Sequence, residues 1–517
     1  SPNGEILSIS GRGAGGRWPL SSRRTLLGRS KAAGIHVNDP AISREHCLIE
    51  TIPGDVRVVE IGPAGTRRPG GSAIGEAWSS WPPETPLKVG HTEFVHSRAL
   101  DEPIPLRADL AGHFMVSRSP RLRHPTAPRE LTPPPAPTRD PKQALSQILL
   151  WAPLLVAGLG AWLMKSPMML LFGLMSPVMV LANHVATRAS GRRTYRQQTR
   201  EYAANVSAFE SDLADALSGE TMARHREQPD LATVRLIAEG PTRRIWERRP
   251  GDDDFSVLRL GLADLPARTV IAMRDSEGVG SPELVRDVPL TLDIAGAGVV
   301  GVAGPRGHRH ALAESLLVQL ATWHSPDELR IVLFGANSGS RWSWAGQLPH
   351  LDPLDASTAL RATGFRGHGP RPLHQVQRRA EELVTLVRAR QQANRHTPHS
   401  PAIVVFLDDA HELRALPGIP ELLSAGPAVG VYAVCFESAE SLLPGECTAT
   451  IDVADPAAAV LRTRSGRQPF AADFLAPGVA AVIARALAPL RDSGSRAGGA
   501  GLPQAARLLD IVGPSLV

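Results

Sequence analysis

The apolar run Val299–Ala303 leads directly into Gly304-Pro305-Arg306-Gly307-His308-Arg309-His310-Ala311. A strand, a glycine and a turn into a helix is the layout of a phosphate-binding loop, G-x-x-x-x-G-K-[ST]. In a working loop, backbone N–H groups cradle phosphate, the lysine reaches the outer phosphates and the final hydroxyl holds Mg²⁺. Here Arg309 stands at the second glycine, His310 at the lysine and Ala311 at the hydroxyl. A neutral histidine supplies no permanent charge, alanine offers Mg²⁺ no oxygen, and arginine lacks glycine's freedom at positive φ. The candidate nucleotide-binding residues are Gly304, Gly307, Arg309, His310 and Ala311. This stretch is expected not to hydrolyse ATP, and weak binding of ATP and Mg²⁺ is the most it would support. Metal binding by His308 and His310 is the alternative, with no further ligands clustered beside them.

A second motif belongs to the same chemistry. Ile403-Val404-Val405-Phe406-Leu407-Asp408-Asp409 reads as an apolar strand ending in paired carboxylates, the Walker B pattern. In a working site the first acid, Asp408, binds Mg²⁺ through water and the second, Asp409, polarises the attacking water. Its separation from Gly304 suits neighbouring strands of one sheet. The competing reading is a buried strand capped by two solvated acids.

The elements that would hold these motifs alternate between strand and helix. From about Val234 the runs Val299–Val302, Leu329–Phe334, Ile403–Leu407 and Val431–Phe436 read as strands, and Ala311–Trp323 and Val376–Ala393 as helices. Such alternation predicts an α/β fold with a largely parallel sheet.

Upstream the character changes. Ala144–Met164 carries no charge for about twenty residues, the length of a bilayer span, and Pro167–Val185 forms a second such run after Lys165-Ser166. The pair reads as a transmembrane helical hairpin, the alternative being a buried hairpin in a soluble core. Arg118, Arg121, Arg123 and Arg129 precede it and Arg188, Arg192, Arg193, Arg196 and Arg200 follow it, which predicts both termini in the cytoplasm. Residues 187–226 have apolar positions at helical spacing and read as a stalk leaving the membrane. Between Ser117 and Pro141, Pro and Arg predict an extended, mobile linker. Residues 5–99 read as all-β, with runs at Arg24–Leu27, Cys47–Thr51 and Val56–Ile61.

Length and charge bound the rest. The 517 residues suit two to four domains, and the net charge of +5 is almost entirely arginine-driven. The arginines are scattered, so no nucleic-acid footprint emerges. Cys47, Cys435 and Cys447 fit neither a disulfide framework nor a zinc site and suggest a reducing compartment. Gly11-Arg12-Gly13-Ala14-Gly15-Gly16 satisfies G-x-G-x-x-G but opens no helix, and reads as a turn.

In the N-terminal module, Gly28-Arg29-Ser30 followed by Ser43-Arg44-Glu45-His46 resembles the forkhead-associated (FHA) domain, a β-sandwich that binds phosphothreonine peptides. The resemblance implies Arg29, Ser43 and Arg44 at phosphate, where arginine's planar fork and a serine hydroxyl suit the ligand, and His46 bracing the loops from within. The family's loop asparagine is missing from Gly62-Pro63-Ala64-Gly65-Thr66, so a purely structural FHA fold stays open beside phosphopeptide binding.

Further on, Trp246-Glu247-Arg248-Arg249-Pro250-Gly251-Asp252-Asp253-Asp254-Phe255, Gln319–Asp327, Trp342-Ser343-Trp344 and Leu348-Pro349-His350 resemble the membrane ATPase of type VII (ESX/WXG100) secretion systems, of the FtsK/SpoIIIE superfamily. The resemblance implies a multi-pass cell-membrane protein that partners other type VII secretion membrane subunits and forms a homo-oligomer, a hexamer in the assembled machine. It also implies that the first ATPase-like domain lacks a working loop, with catalytic domains following it. The Ser-Pro start and the run Leu502–Gly513 are then expected to mark the front half of such a protein, or a shortened relative. The expected organisation is an FHA-like sandwich over 1–110, a Pro/Arg-rich linker over 111–142 and a transmembrane hairpin over 143–186. A helical stalk over 187–230 and a degenerate ATPase domain with C-terminal linker over 231–517 complete it. The implied function is a membrane-anchored secretion component whose pseudo-ATPase domain regulates or couples to active ATPase domains. The alternatives are a DNA translocase of the FtsK/SpoIIIE type and a phosphopeptide-binding membrane scaffold; nucleic acid is not an expected partner.

Overall fold

A computed structural model describes residues 4–63, 65–68, 72–96, 102–121, 129–136, 168–272, 283–335, 342–351, 373–393 and 400–494, with short helical pieces within 155–163. The chain divides into two units. One comprises residues 1–124, 223–265 and 286–517; the other comprises 125–222 and 266–285.

The first unit begins with two antiparallel-rich sheets. A six-stranded sheet runs in the order Arg17–Pro19, Glu5–Ser10, Thr92–His96, Leu87–Val89, Thr66–Arg67, Ala73–Ile74. A five-stranded sheet runs Ile35–His36, Arg24–Gly28, Cys47–Ile52, Asp55–Glu60, Ser79–Ser80. Ile6, Leu87 and Phe94 of the first meet Leu27, Ile49 and Val58 of the second in one core, as period-two alternation directs. The β-sandwich expected for this module is present.

The rest of this unit is built on a nine-stranded sheet. Its order is Leu284–Asp293, Val257–Pro266, Gly466–Ala472, Ala459–Thr463, Ala449–Asp452, Val299–Ala303, Val431–Glu437, Ala402–Asp408, Leu329–Gly335. The five strands from Ala449–Asp452 to Leu329–Gly335 pair in parallel. Antiparallel pairs extend the sheet beyond Ala449–Asp452, so it is mixed rather than largely parallel. Val299–Ala303 is buried at every position, as a strand covered on both faces must be. The acid-tipped strand Ala402–Asp408 is not its neighbour, because Val431–Glu437 lies between them. The helix expected over Ala311–Trp323 spans Arg306–Trp323, starting five residues early.

The sandwich and the α/β part pack as one unit. The glycine-rich turn Gly11–Gly16 lies alongside Asp473–Ala476, with Phe474 N–H donating to Gly11 O at 2.9 Å and Ala476 N–H to Ala14 O at 2.8 Å. Gly11 N–H donates to Asp473 Oδ1 at 2.9 Å, and Asp473 Oδ2 accepts from buried Arg259 Nε at 2.8 Å. Gly11 has φ +84°, and a Cβ there would stand 2.2 Å from His91 O, so only glycine fits this contact. Leu7, Ile9 and Val95 share a small core with Ala232 and Leu236.

The beginning of the expected linker is structured. Phe114–Val116 pairs in parallel with Leu490–Asp492. Arg118 makes a two-pronged contact with Glu328, both bonds at 2.8 Å, and Arg121 does the same to Asp254 at 2.7 and 2.8 Å. Bidentate guanidinium–carboxylate pairs fix orientation as well as charge, so this stretch is strapped down rather than extended.

In the second unit, Glu130–Leu131 pairs with Val270–Ile271, and Glu220 accepts from the Arg268 and Thr269 N–H groups at 2.8 and 3.2 Å. The helix Met168–Glu227 is continuous for 60 residues, so the second apolar run and the stalk are one element. Among the described residues no helix is long and apolar enough to cross a membrane. Most of the expected first span, Ala144–Met164, lies outside the described residues, as do most side chains of Pro167–Val185, Ala64 and the run Leu502–Gly513.

Candidate functional site: a phosphate-loop position closed by its own side chains

Gly304 ends the strand Val299–Ala303 with φ +147°, and a Cβ there would stand 2.9 Å from Val453 Cγ2. Its N–H donates to Glu437 O at 3.1 Å, tying the turn to the neighbouring strand. Pro305 caps the helix without a side-chain bond, and the N–H groups of His308 and Arg309 both reach back to Pro305 O, at 2.9 and 3.1 Å. A phosphate-binding loop needs successive N–H groups turned inward on one anion. Here the residues that would form that cradle are already wound into helix, and the His308 and Arg309 donors are taken by Pro305 O.

The early start aims two side chains. Arg309 closes the first turn and His310 opens the second, and both are buried, at 4% and 2% exposure. His310 Nε2 donates to Asp408 at 3.0 Å from Oδ1 and 2.9 Å from Oδ2. Arg309 Nη2 donates to Asp409 Oδ1 at 2.7 Å and lies 3.9 Å from Asp408. The two acids at the end of Ala402–Asp408 are therefore met by the two residues that stand where the phosphate-loop pattern has its second glycine and its lysine.

Trp342 completes the cluster. It is buried, its Nε1 donates to Asp408 Oδ2 at 3.4 Å, and its ring lies 5.5 Å from that of His310. Burial pushes the Asp408 carboxyl up, but the His310 hydrogen bond and charge, the Trp342 N–H and Arg309 together hold it below its ordinary value. Asp409 sits in the left-handed region at φ +65°, which turns its carboxylate back toward Arg309. Sequence reasoning uses Trp342 only as a family marker; its indole N–H against a carboxylate is visible only once residues far apart in sequence are folded together.

His308 turns away from this cluster. Its Nδ1 donates to Val453 O at 3.0 Å and its ring lies 5.5 Å from Phe474. His308 and His310 thus have separate partners, and among the described residues no group of three or more His, Cys, Asp or Glu is placed to hold a metal. Ala311 is half-buried against the core and Gly307 is exposed. An open cavity of about 520 Å³ remains in front of Gly304 and Pro305, lined also by Arg306, Arg309, Glu440 and Asp452. Two arginines and two carboxylates share its wall, so it lacks the net positive charge that would draw in a polyphosphate.

The sandwich brings its own four residues together. Arg29 N–H donates to Ser43 O at 2.9 Å and Ser30 N–H to Arg44 O at 3.0 Å, so both arginines and Ser43 belong to adjacent loops. The Arg29 and Arg44 side chains are exposed and Ser43 is half-buried. His46 is fully buried beneath them. Its Nδ1 accepts from Ser43 N–H at 3.2 Å and its Nε2 lies 3.1 Å from Thr66 Oγ1, which links the two loops. Burial lowers the His46 pKa, so the ring is neutral and Nε2–H donates to Thr66.

No protein-family model matches the chain. Over 218 residues it is 26% identical to the ESX-4 secretion system protein EccC4 of Mycobacterium tuberculosis, covering 38% of this chain and 17% of that protein. Over 127 residues it is 32% identical to EccC3 of the ESX-3 system of the same species, covering 22% of this chain and 10% of that protein. Among solved structures, the FHA domain of CT664 from Chlamydia trachomatis is 22% identical, covering 19% of this chain and 98% of that domain, with a TM-score of 0.17. The matched stretches amount to less than a fifth of either EccC protein. Over part of its length, the chain is a relative of the EccC proteins of ESX, or type VII, secretion systems.

Proposed function

We propose that this chain is a membrane-anchored component of a type VII secretion machine whose P-loop-derived domain transmits or regulates rather than hydrolyses. The observation that carries the reading is the double closure of the site: His310 on Asp408 and Arg309 on Asp409. A divalent cation would have to displace a buried His–Asp bond, and polyphosphate would enter a pocket that carries Glu440 and Asp452. The sandwich docked through Gly11–Gly16 would report partner binding to this domain, with Arg29, Ser43 and Arg44 receiving a phosphothreonine segment. The hairpin over 143–186 would anchor the chain; its described apolar side chains Leu155, Val156, Leu159, Trp162, Leu163, Met175, Val178 and Met179 are all exposed at 61% or more. Apolar surface of that kind suits lipid or other membrane helices.

The test is expression of the full chain together with the type VII subunits of its own cell. It should stay with membranes through a carbonate wash and co-purify with those subunits in detergent, and its deletion should stop secretion. Release by carbonate would overturn the anchor, and normal secretion without the chain would overturn the assignment to the machine.

A further inference from the structure

A pair of thiols lies on the far side of the strand that leads to Gly304. Cys435 is fully buried in the strand Val431–Glu437 and is the parallel register partner of Gly301. Cys447 lies in the turn before Ala449–Asp452, on the other flank of the same strand, and is only partly buried. Gly301 makes their meeting possible. A Cβ on Gly301 would stand 3.2 Å from Cys447 Sγ and 2.6 Å from Leu443 Cδ1, so any side chain there would fill the space over which Cys447 reaches. Cys447 and Leu443 pack on the core cluster that contains Cys435, so both thiols lie on the face of the sheet over Gly301.

We propose that Cys435 and Cys447 form an oxidant-sensitive dithiol site that closes to an intramolecular disulfide when hydrogen peroxide reaches Cys447. The asymmetry of the pair assigns the roles. Cys447 is the reachable sulfur, and its interaction with the Cys435 thiol holds its pKa below the ordinary thiol value, against burial and the nearby Glu446. The same interaction, together with burial, raises the pKa of Cys435 and keeps it protonated. The Cys447 thiolate attacks peroxide and the O–O bond breaks; one oxygen stays on sulfur as the sulfenic acid and the other leaves as hydroxide, which takes the proton Cys447 gave up on ionising and becomes water. Cys435 sulfur then attacks Cys447 sulfur. The S–S bond forms, the S–O bond breaks, and hydroxide takes the Cys435 proton to leave as a second water. Two thiols are oxidised by two electrons in all, and one peroxide is reduced. The product would fasten the turn at 443–447 to Val431–Glu437 across the strand that ends at Gly304, and so stiffen the floor of the closed site.

The experiment uses the full chain treated with hydrogen peroxide, then alkylated after unfolding and mapped by mass spectrometry. The three free thiols should fall to one, Cys47, with a Cys435–Cys447 linked peptide that dithiothreitol reverses. The Cys435→Ser variant should instead give a dimedone-reactive sulfenic acid at Cys447, and Cys447→Ser should leave Cys435 unoxidised. Phenylarsine oxide, which bridges two adjacent thiols, should be retained by the native chain and by neither serine variant, each checked for native circular dichroism. Overoxidation of Cys447 without linkage, linkage between separate chains, or a native chain that keeps all three thiols would overturn the proposal.

Discussion

His310 Nε2 lies 2.9 Å from Asp408 Oδ2 with both side chains buried, an acid and a base closing on each other where a lysine and a metal would otherwise stand. Removing one partner leaves the other as an uncompensated buried polar group. His310→Ala should therefore destabilise the chain by about 3–5 kcal/mol in urea unfolding. In a double-mutant cycle, adding Asp408→Ala should cost clearly less than the sum of the two single changes. Full additivity would show that the two groups do not support each other.

Two buried acids give opposite pH dependences. Asp408 has a folded pKa held below its ordinary value, so its contribution is present above that ordinary value and is lost as pH falls through the folded one. Glu93 in the sandwich is pushed up to about 7, chiefly by burial, with Lys88 and Arg259 opposing and Asp287 and Asp473 adding to the rise. Its protonated form is the one the fold prefers. Its contribution is complete below the ordinary carboxylate value of 4.5 and is lost as pH rises through about 7, amounting to roughly 3 kcal/mol by pH 8. Glu93→Gln should thus raise stability at pH 8 relative to the native chain and flatten the loss between pH 5 and 8. An unchanged slope would mean that Glu93 is charged throughout.

Docking of the sandwich should fail at Gly11. Gly11→Ala sets a Cβ against His91 O and forces a residue with φ +84° out of the glycine region, so the bonds to Asp473 and Phe474 should open. Hydrogen exchange at the Phe474 and Ala476 N–H groups should quicken by more than tenfold, about 1.4 kcal/mol or more, while exchange in the sandwich core stays slow. Equal protection in the variant would contradict the docking role.

At the sandwich surface, Arg29→Ala should abolish capture of phosphothreonine peptides from a degenerate library. Because the Arg29 side chain is exposed, stability should change by less than about 0.5 kcal/mol. His46→Ala should lose capture and also at least 1 kcal/mol of stability, since it unlinks the Ser43 and Thr66 loops, where each lost bond to a buried group costs about 1–3 kcal/mol. Capture unaffected by Arg29→Ala would mean that the module docks its partner without phosphate.

Much of this arrangement can be read in the sequence. The run Ile403–Leu407 ahead of two acids, and Val299–Val302 ahead of Gly304, are strong strand signals because both are buried on two faces. Arg309, His310 and Ala311 stand out against the phosphate-loop pattern, which has Gly, Lys and a hydroxyl there. What fills the gap is not legible locally. Gly304–Ala311 reads as a loop by its motif, which places the expected helix start at Ala311; the helix instead begins at Arg306, and its residues Arg309 and His310 meet Asp409 and Asp408 from distant strands. The Gly11–Gly16 turn is equally plain as a turn, but its partner Asp473 lies 462 residues away, and no local pattern carries that pairing. Arg118 and Arg121 look like linker charges because their partners Glu328 and Asp254 are just as remote.

Arg309 and His310 close the site at Gly304 on Asp409 and Asp408. Isothermal titration of ATP with Mg²⁺ into the full chain, compared with its Asp408→Ala variant, tests it most directly. No saturable heat from either protein is the expected result. Micromolar binding by the native chain that Asp408→Ala abolishes would show that the acids still hold a nucleotide-bound cation, and would contradict it.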